Sequence, residues 1–127
     1  KEMNKILLVE DDNSLGYLLS EYLKMKNFQL HWVTNGVKAL AILEKENFDL
    51  LILDVMMPEM DGFEFLKHYE LWVQRSKMRP FLFMVSSTED DHDLKRSRDN
   101  RHIIKLLRKP LIPKLLKEVI DQNSDLK

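Results

Sequence analysis

The sequence predicts an α/β fold, a single doubly wound domain whose parallel sheet carries helices on both faces, and three observations support this. Short apolar runs alternate along the chain with stripes of helical period. The runs at 5–9, 50–53 and 81–85 are apolar but for Lys5 at the first one's start, as strands covered on both faces are. With 127 residues, 44% of them apolar, the chain suits one such domain and leaves no room for a second of similar size.

In order, "KILLV" (5–9) is a buried strand closed by the acidic "EDDN". Leu15, Leu18, Leu19, Tyr22 and Leu23 then recur at i, i+3, i+4, i+7 and i+8, the stripe of an amphipathic helix. "FQLHWV" (28–33) alternates like a strand with one wetter face; Asn35 and Gly36 turn the chain, and Val37, Leu40 and Leu43 mark a second helix. "LLIL" (50–53) is a strand, "FEFLKHYELWV" (63–73) a helix and "FLFMV" (81–85) a strand. "HIIKLL" (102–107) is the last strand, and Ile112, Leu115, Leu116, Val119 and Ile120 stripe the last helix. Between them, "TEDDHDLKRSRDNR" (88–101) has one large apolar residue, Leu94, so a fourth helix there is expected to be short, polar and exposed or mobile. Its acidic first half and basic second half suit the helix dipole, and Asp91 is spaced to pair with Lys95. Such alternation implies right-handed crossovers.

Composition narrows the function classes. With 21 acidic and 20 basic residues, the net charge of -1 supplies no global attraction to nucleic acid or anionic membrane. Cysteine is absent, which excludes disulfides and thiolate metal sites. No signal-peptide pattern opens the chain and no apolar run approaches the roughly 18 residues of a membrane helix, so the expectation is a soluble, cytoplasmic protein with no membrane partner. The chain opens at Lys1 rather than a methionine, which is compatible with a single domain over 1–127 taken from something longer.

In an open parallel sheet the working site lies beyond the carboxyl ends of the strands. Here strand one ends in Glu10, Asp11 and Asp12, strand three in Asp54, strand four in Ser86 and Ser87, and strand five in Lys109 and Pro110. Each has an ordinary reading alone: "DDNS" is a helix cap, Asp54 a turn cap, Ser86 a turn hydroxyl, Lys109 a surface charge. Together they are harder to dismiss, because converging carboxylates repel unless a cation sits among them. Oxygen donors without paired histidines suit Mg²⁺ rather than zinc. A carboxylate beside that metal can attack phosphorus, and Asp54 is the natural nucleophile because its strand is the most buried. Glu10 and Asp11 would hold the metal, while Ser86 and Lys109 would meet the phosphoryl oxygens.

The motifs "ILLVEDD" (6–12), "LLILDVMMPEMDG" (50–62), "FMVSS" (83–87) and "RKPLIPKLL" (108–116), in that order, resemble the receiver domain of two-component response regulators over nearly the whole chain. The resemblance implies a five-stranded flavodoxin-like sheet in order 2-1-3-4-5. It also implies transfer of a phosphoryl group from a histidine kinase, or a phosphotransfer protein, onto Asp54 with Mg²⁺. Such a domain catalyses only its own phosphorylation and dephosphorylation. By the same resemblance Asp11 is a direct metal ligand, Glu10 acts through water, and Met56 lends its backbone carbonyl. Ser86 carries the hydroxyl that turns inward, Lys109 is the pairing lysine, and the bond to Pro110 is cis. The Met56 side chain would face the phosphoryl group, where a thioether cannot orient water, so loss of phosphate is expected to be slow.

In "VMMPEMDG", Pro58 and Gly62 are expected to shape a tight loop, Gly62 through a positive φ or a close helix approach, and Asp61 to cap the next helix. Met56 and Met57 read as loop packing. The family's strand-five aromatic would fall near Leu106, and no Tyr or Phe occurs from 84 to 127, which puts coupling of Ser86 to the output face in question. The resemblance further implies homodimerisation through helix four, strand five and helix five.

Two rival readings remain. Lys95, Arg96, Arg98, Arg101, Lys105, Arg108 and Lys109 form a basic run, but Asp90, Asp91, Asp93 and Asp99 interleave and no stacking aromatic is near, which favours a solvated face over direct nucleic-acid binding. A phosphohydrolase on a similar sheet, of haloacid-dehalogenase type, is the other rival. No glycine-rich phosphate loop follows strand one and no cap insertion is visible.

Overall fold

The computed structural model describes residues 3–57, 59–87 and 91–124, with backbone only for 91–93. Pro58, most of the "STEDD" stretch and the Asp91 side chain expected to pair with Lys95 therefore lie outside the described residues. The elements run β1 (Lys5–Val9), α1 (Asn13–Met25), β2 (Gln29–Val33), α2 (Gly36–Leu43), β3 (Leu50–Asp54), α3 (Gly62–Ser76), β4 (Phe81–Ser86), α4 (Asp91–Asp99), β5 (Ile103–Arg108) and α5 (Pro113–Asn123). The five strands form one parallel sheet in order β2-β1-β3-β4-β5.

The apolar runs are continuous because β1, β3 and β4 each feed two cores with period two. Leu7, Val9, Leu51, Leu53, Leu82 and Met84 pack with Ala39 and Leu43 of α2 and with Phe65, Leu66 and Tyr69 of α3. Their neighbours Ile6, Leu8, Leu50, Ile52, Phe83 and Val85 pack with Leu19 and Leu23 of α1 and Leu116 and Ile120 of α5. All five residues of β3 are buried, so the middle of the sheet is shielded on both faces.

The helix stripes are narrower than the sequence periodicity suggests. Leu18 on α1, Val37 on α2, and Ile112 and Leu115 at the start of α5 are exposed, while Gly16, Ser20 and Ala39 occupy buried positions. A helix lying on a twisted sheet buries only the strip that touches it, and small residues belong where the backbones come closest. The helix starts follow capping chemistry. Asp12, Asn35 and Asp61 each accept the amide three residues on, and Pro113 sits in the first turn of α5. The fourth helix is present and short, anchored by buried Leu94 and Ser97.

Leu51→Ala should lower stability by about 2–5 kcal/mol through the cavity it leaves in β3. Leu18→Ala should change it by less than about 0.5 kcal/mol. Denaturant midpoints measure both, and equal losses would contradict the observed placement of the α1 stripe.

Candidate functional site

The strand order reverses between β1 and β3, and the acids lie at the carboxyl ends of those two strands. Glu10 follows β1 directly. Its amide donates to the Val33 carbonyl at 3.0 Å, its carbonyl accepts the Trp32 indole N–H at 2.9 Å, and its Oε2 accepts the Asp12 amide at 3.1 Å. Asp54 is the last residue of β3; its Oδ1 accepts the Met56 amide at 3.0 Å and its Oδ2 accepts Lys109 Nζ at 2.6 Å. Lys109 Nζ also lies 3.6 Å from Glu10 Oε1. Glu10 and Asp54 are each 2% exposed, whereas Asp11 reaches solvent.

Ligand oxygens of Glu10, Asp11 and Asp54 all lie within 4.8 Å of one another. Three carboxylates against one nearby ammonium leave a negative excess in a largely buried spot. Hard oxygen donors with no histidine or cysteine in the cluster fit Mg²⁺. Burial is the main reason the Glu10 carboxyl is pushed up from 4.5 to about 7; the Asp54 charge adds to this, while the Asp12 amide and Lys109 oppose it. Burial pulls the Lys109 ammonium down, but the hydrogen bond and charge of Asp54, with the charges of Glu10 and Asp11, outweigh it and hold it above the ordinary lysine range.

Ser86 ends β4, is 2% exposed, and its carbonyl accepts the Lys109 amide at 3.0 Å, which ties the β4 end to the lysine. The Lys109–Pro110 bond is cis, as the motif led one to expect. Met57 packs in the core, but the Met56 side chain is 61% exposed, so packing does not explain it; its amide holds Asp54 instead. Gly62 has no positive φ. A Cβ there would lie 2.9 Å from the Val55 Cα and 3.0 Å from the Asp54 carbonyl, so the requirement is close approach of α3 to the end of β3. The positive φ in this loop belongs to Glu59, at 70°.

Two features of the surroundings were not anticipated. The Trp32 bond to Glu10 was missed because strand alternation says nothing of where an indole reaches; a glycine inside α1, Gly16, was the available signal. Arg96 of α4 lies over the Phe63 ring at 3.8 Å, joining α4 to the start of α3. Leu106, where the aromatic was expected, is paired in register with Met84 and packs on the α2–α3 core. The basic run is not one patch: Arg101 pairs with Glu70 at 2.9 Å, Arg96 stacks on Phe63 and Lys109 turns into the acids.

The raised Glu10 carboxyl fixes the sign of a pH effect. Folded protein holds this proton more tightly than unfolded chain, so the stabilisation is complete below about pH 4.5 and is lost as pH rises toward about 7. In metal-free buffer the thermal midpoint of the native protein, relative to Glu10→Gln, should fall across that window and level off above it. Parallel curves for the two proteins would contradict the burial argument.

Comparisons agree with this geometry. The family model for the response regulator receiver domain matches residues 6–121. The regulatory protein VanRc of Enterococcus gallinarum is 33% identical over 86 residues, 68% of this chain and 36% of that protein. The transcriptional regulatory protein CpxR of Klebsiella pneumoniae is 51% identical over 65 residues, 51% of this chain and 28% of that protein. The matches thus span about a third of the length of these curated relatives. Among solved structures, the chemotaxis response regulator CheY4 of Vibrio cholerae is 28% identical with a TM-score of 0.81, covering 94% of this chain and 98% of that one. A CheY-like receiver domain protein from Methanospirillum hungatei is 26% identical with a TM-score of 0.82, covering 98% of this chain and 95% of that one. With an acid cluster at the switch point of a 2-1-3-4-5 sheet and the family model covering residues 6–121, the chain belongs to the response regulator receiver domain family of two-component systems.

Proposed function

We propose that this domain accepts a phosphoryl group on Asp54 from the phosphohistidine of a sensor kinase or phosphotransfer protein, in a Mg²⁺-dependent reaction, and that the change controls an output. The observation that carries this reading is the Glu10–Asp11–Asp54 cluster with Lys109 Nζ 2.6 Å from Asp54. Asp11 and Asp54 would ligate the metal directly, with Glu10 through water and the Met56 carbonyl completing the protein set. When bound, Mg²⁺ supplies charge neutralisation at the phosphoryl oxygens.

The chain's own groups do the rest. Asp54 Oδ1 accepts the Met56 amide and Oδ2 accepts Lys109 Nζ, while a carboxylate offers about four acceptor sites in all. Asp54 attacks phosphorus, an O–P bond forms as the P–N bond to the donor imidazole breaks, and the electron pair returns to a ring nitrogen that takes a proton from solvent. Lys109 moves from carboxylate to phosphoryl oxygen, and the Ser86 hydroxyl donates to another. Withdrawal of Ser86 and Lys109 toward the phosphoryl group shifts the loop that follows β4, the segment joining it to α4. With Leu106 in place of an aromatic, the Arg96–Phe63 stack is a contact that links α4 to the start of α3, just past the site loop. Homodimerisation through α4, β5 and α5, a cytoplasmic location and membership of a longer regulator belong to the same proposal. Direct binding of nucleic acid by this domain does not. No described helix is long and apolar enough to cross a membrane.

Exposure to a small phosphodonor with Mg²⁺ should add the mass of one phosphoryl group to the native protein and none to Asp54→Asn; an unchanged native mass would sink the proposal. Turnover of a phosphate ester beyond one equivalent would favour the hydrolase instead. The modified domain should lose its phosphate slowly, and Met56→Asn, which can hold a water, should lose it several-fold faster as followed by intact mass.

A further inference from the structure

We propose that Trp32 is a positioning residue of the acid site, and that Gly16 is glycine so that it can be. The inference rests on the reading of Glu10, Asp11 and Asp54 as a Mg²⁺ site. Trp32 lies on β2, an edge strand that contributes no acid. Its indole N–H reaches past the end of β1 to the Glu10 carbonyl at 2.9 Å, and the next residue's carbonyl, that of Val33, takes the Glu10 amide at 3.0 Å. The two peptide groups flanking Glu10 are therefore both held from β2.

The second of these groups matters for the metal. The Glu10 carbonyl and the Asp11 amide share one rigid plane. Fixing that oxygen fixes the direction in which the chain leaves the buried strand, and so where the Asp11 carboxylate stands relative to Asp54. Asp11 is only half-buried and reaches solvent, so its aim depends in large part on its backbone. α1 crosses the indole at Gly16, a buried position where a Cβ would strike the Trp32 ring. Glycine weakens a helix interior relative to alanine. That weakness is kept at an α1 position where a side chain would push the indole off its carbonyl.

Calorimetric titration of the 127-residue chain with Mg²⁺ tests this. Trp32→Phe keeps a ring but removes the N–H, and should weaken binding by about threefold to tenfold, the range of one lost hydrogen bond. Gly16→Ala should weaken it similarly, and the double variant should be no weaker than the worse single variant, because both remove the same bond. In a Trp72→Phe background, Trp32 emission should change with Mg²⁺ at the calorimetric midpoint. Affinity of Trp32→Phe within about twofold of native, with Asp11→Asn abolishing binding, would overturn the Trp32 assignment alone. An emission that stays constant through the native transition would do the same. Absence of Mg²⁺ binding by the native chain would overturn both this inference and the site reading beneath it.

Discussion

The ammonium of Lys109, 2.6 Å from Asp54 and 3.6 Å from Glu10, is the interaction on which the rest of the arrangement depends. Two buried carboxylates meeting at the end of a dry sheet are unfavourable by themselves. One cation relieves part of that, and removing it would leave the charges uncompensated in a buried place. The remaining excess is what makes the spot receptive to a divalent ion and to the charge of a transferring phosphoryl group. Stability and function pull against each other here, as they do wherever like charges are kept together for chemistry.

The fold keeps that tension in place with backbone rather than side chains. β1 and β3 are neighbours at the switch point, so Glu10 and Asp54 are brought together by sheet register alone. Past the strands, the Val55 amide bonds to Val85, the Gly62 amide to Val55 and the Lys109 amide to Ser86, which locks the loops after β3 and β5 to one rim. β2, an edge strand with no acid, contributes through Val33 and Trp32. The outward path is built differently. α4 has a single large apolar anchor, an arginine stacked on Phe63 ties it to α3, and Leu106 occupies the β5 position where an aromatic was expected.

Strands buried on both faces write themselves as apolar runs, so β1, β3 and β4 and the polar residue after each were legible in the sequence. The caps at Asp12 and Asp61 were legible too, because a side-chain oxygen three residues before an unpaired amide is local chemistry. Helix faces were less so. Leu18, Val37 and Leu115 fit the period yet face solvent, since periodicity gives a direction but not the width of the buried strip. Gly62 was legible as a requirement with two possible causes, and the close helix approach is the one that holds. The indole bond from Trp32 depends on strand register and rotamer together, and neither is written in a single sequence. Met56 was misread as packing because a methionine in an apolar loop looks alike whether its side chain turns in or out.

The direct measure of the central claim is the thermal midpoint of the native domain as Mg²⁺ is added at constant ionic strength. A cluster that lacks only a divalent cation should gain stability with the logarithm of Mg²⁺ concentration above its dissociation constant, and Asp54→Asn should lose most of that response. A native midpoint that does not move with Mg²⁺, or moves equally in Asp54→Asn, would contradict the account.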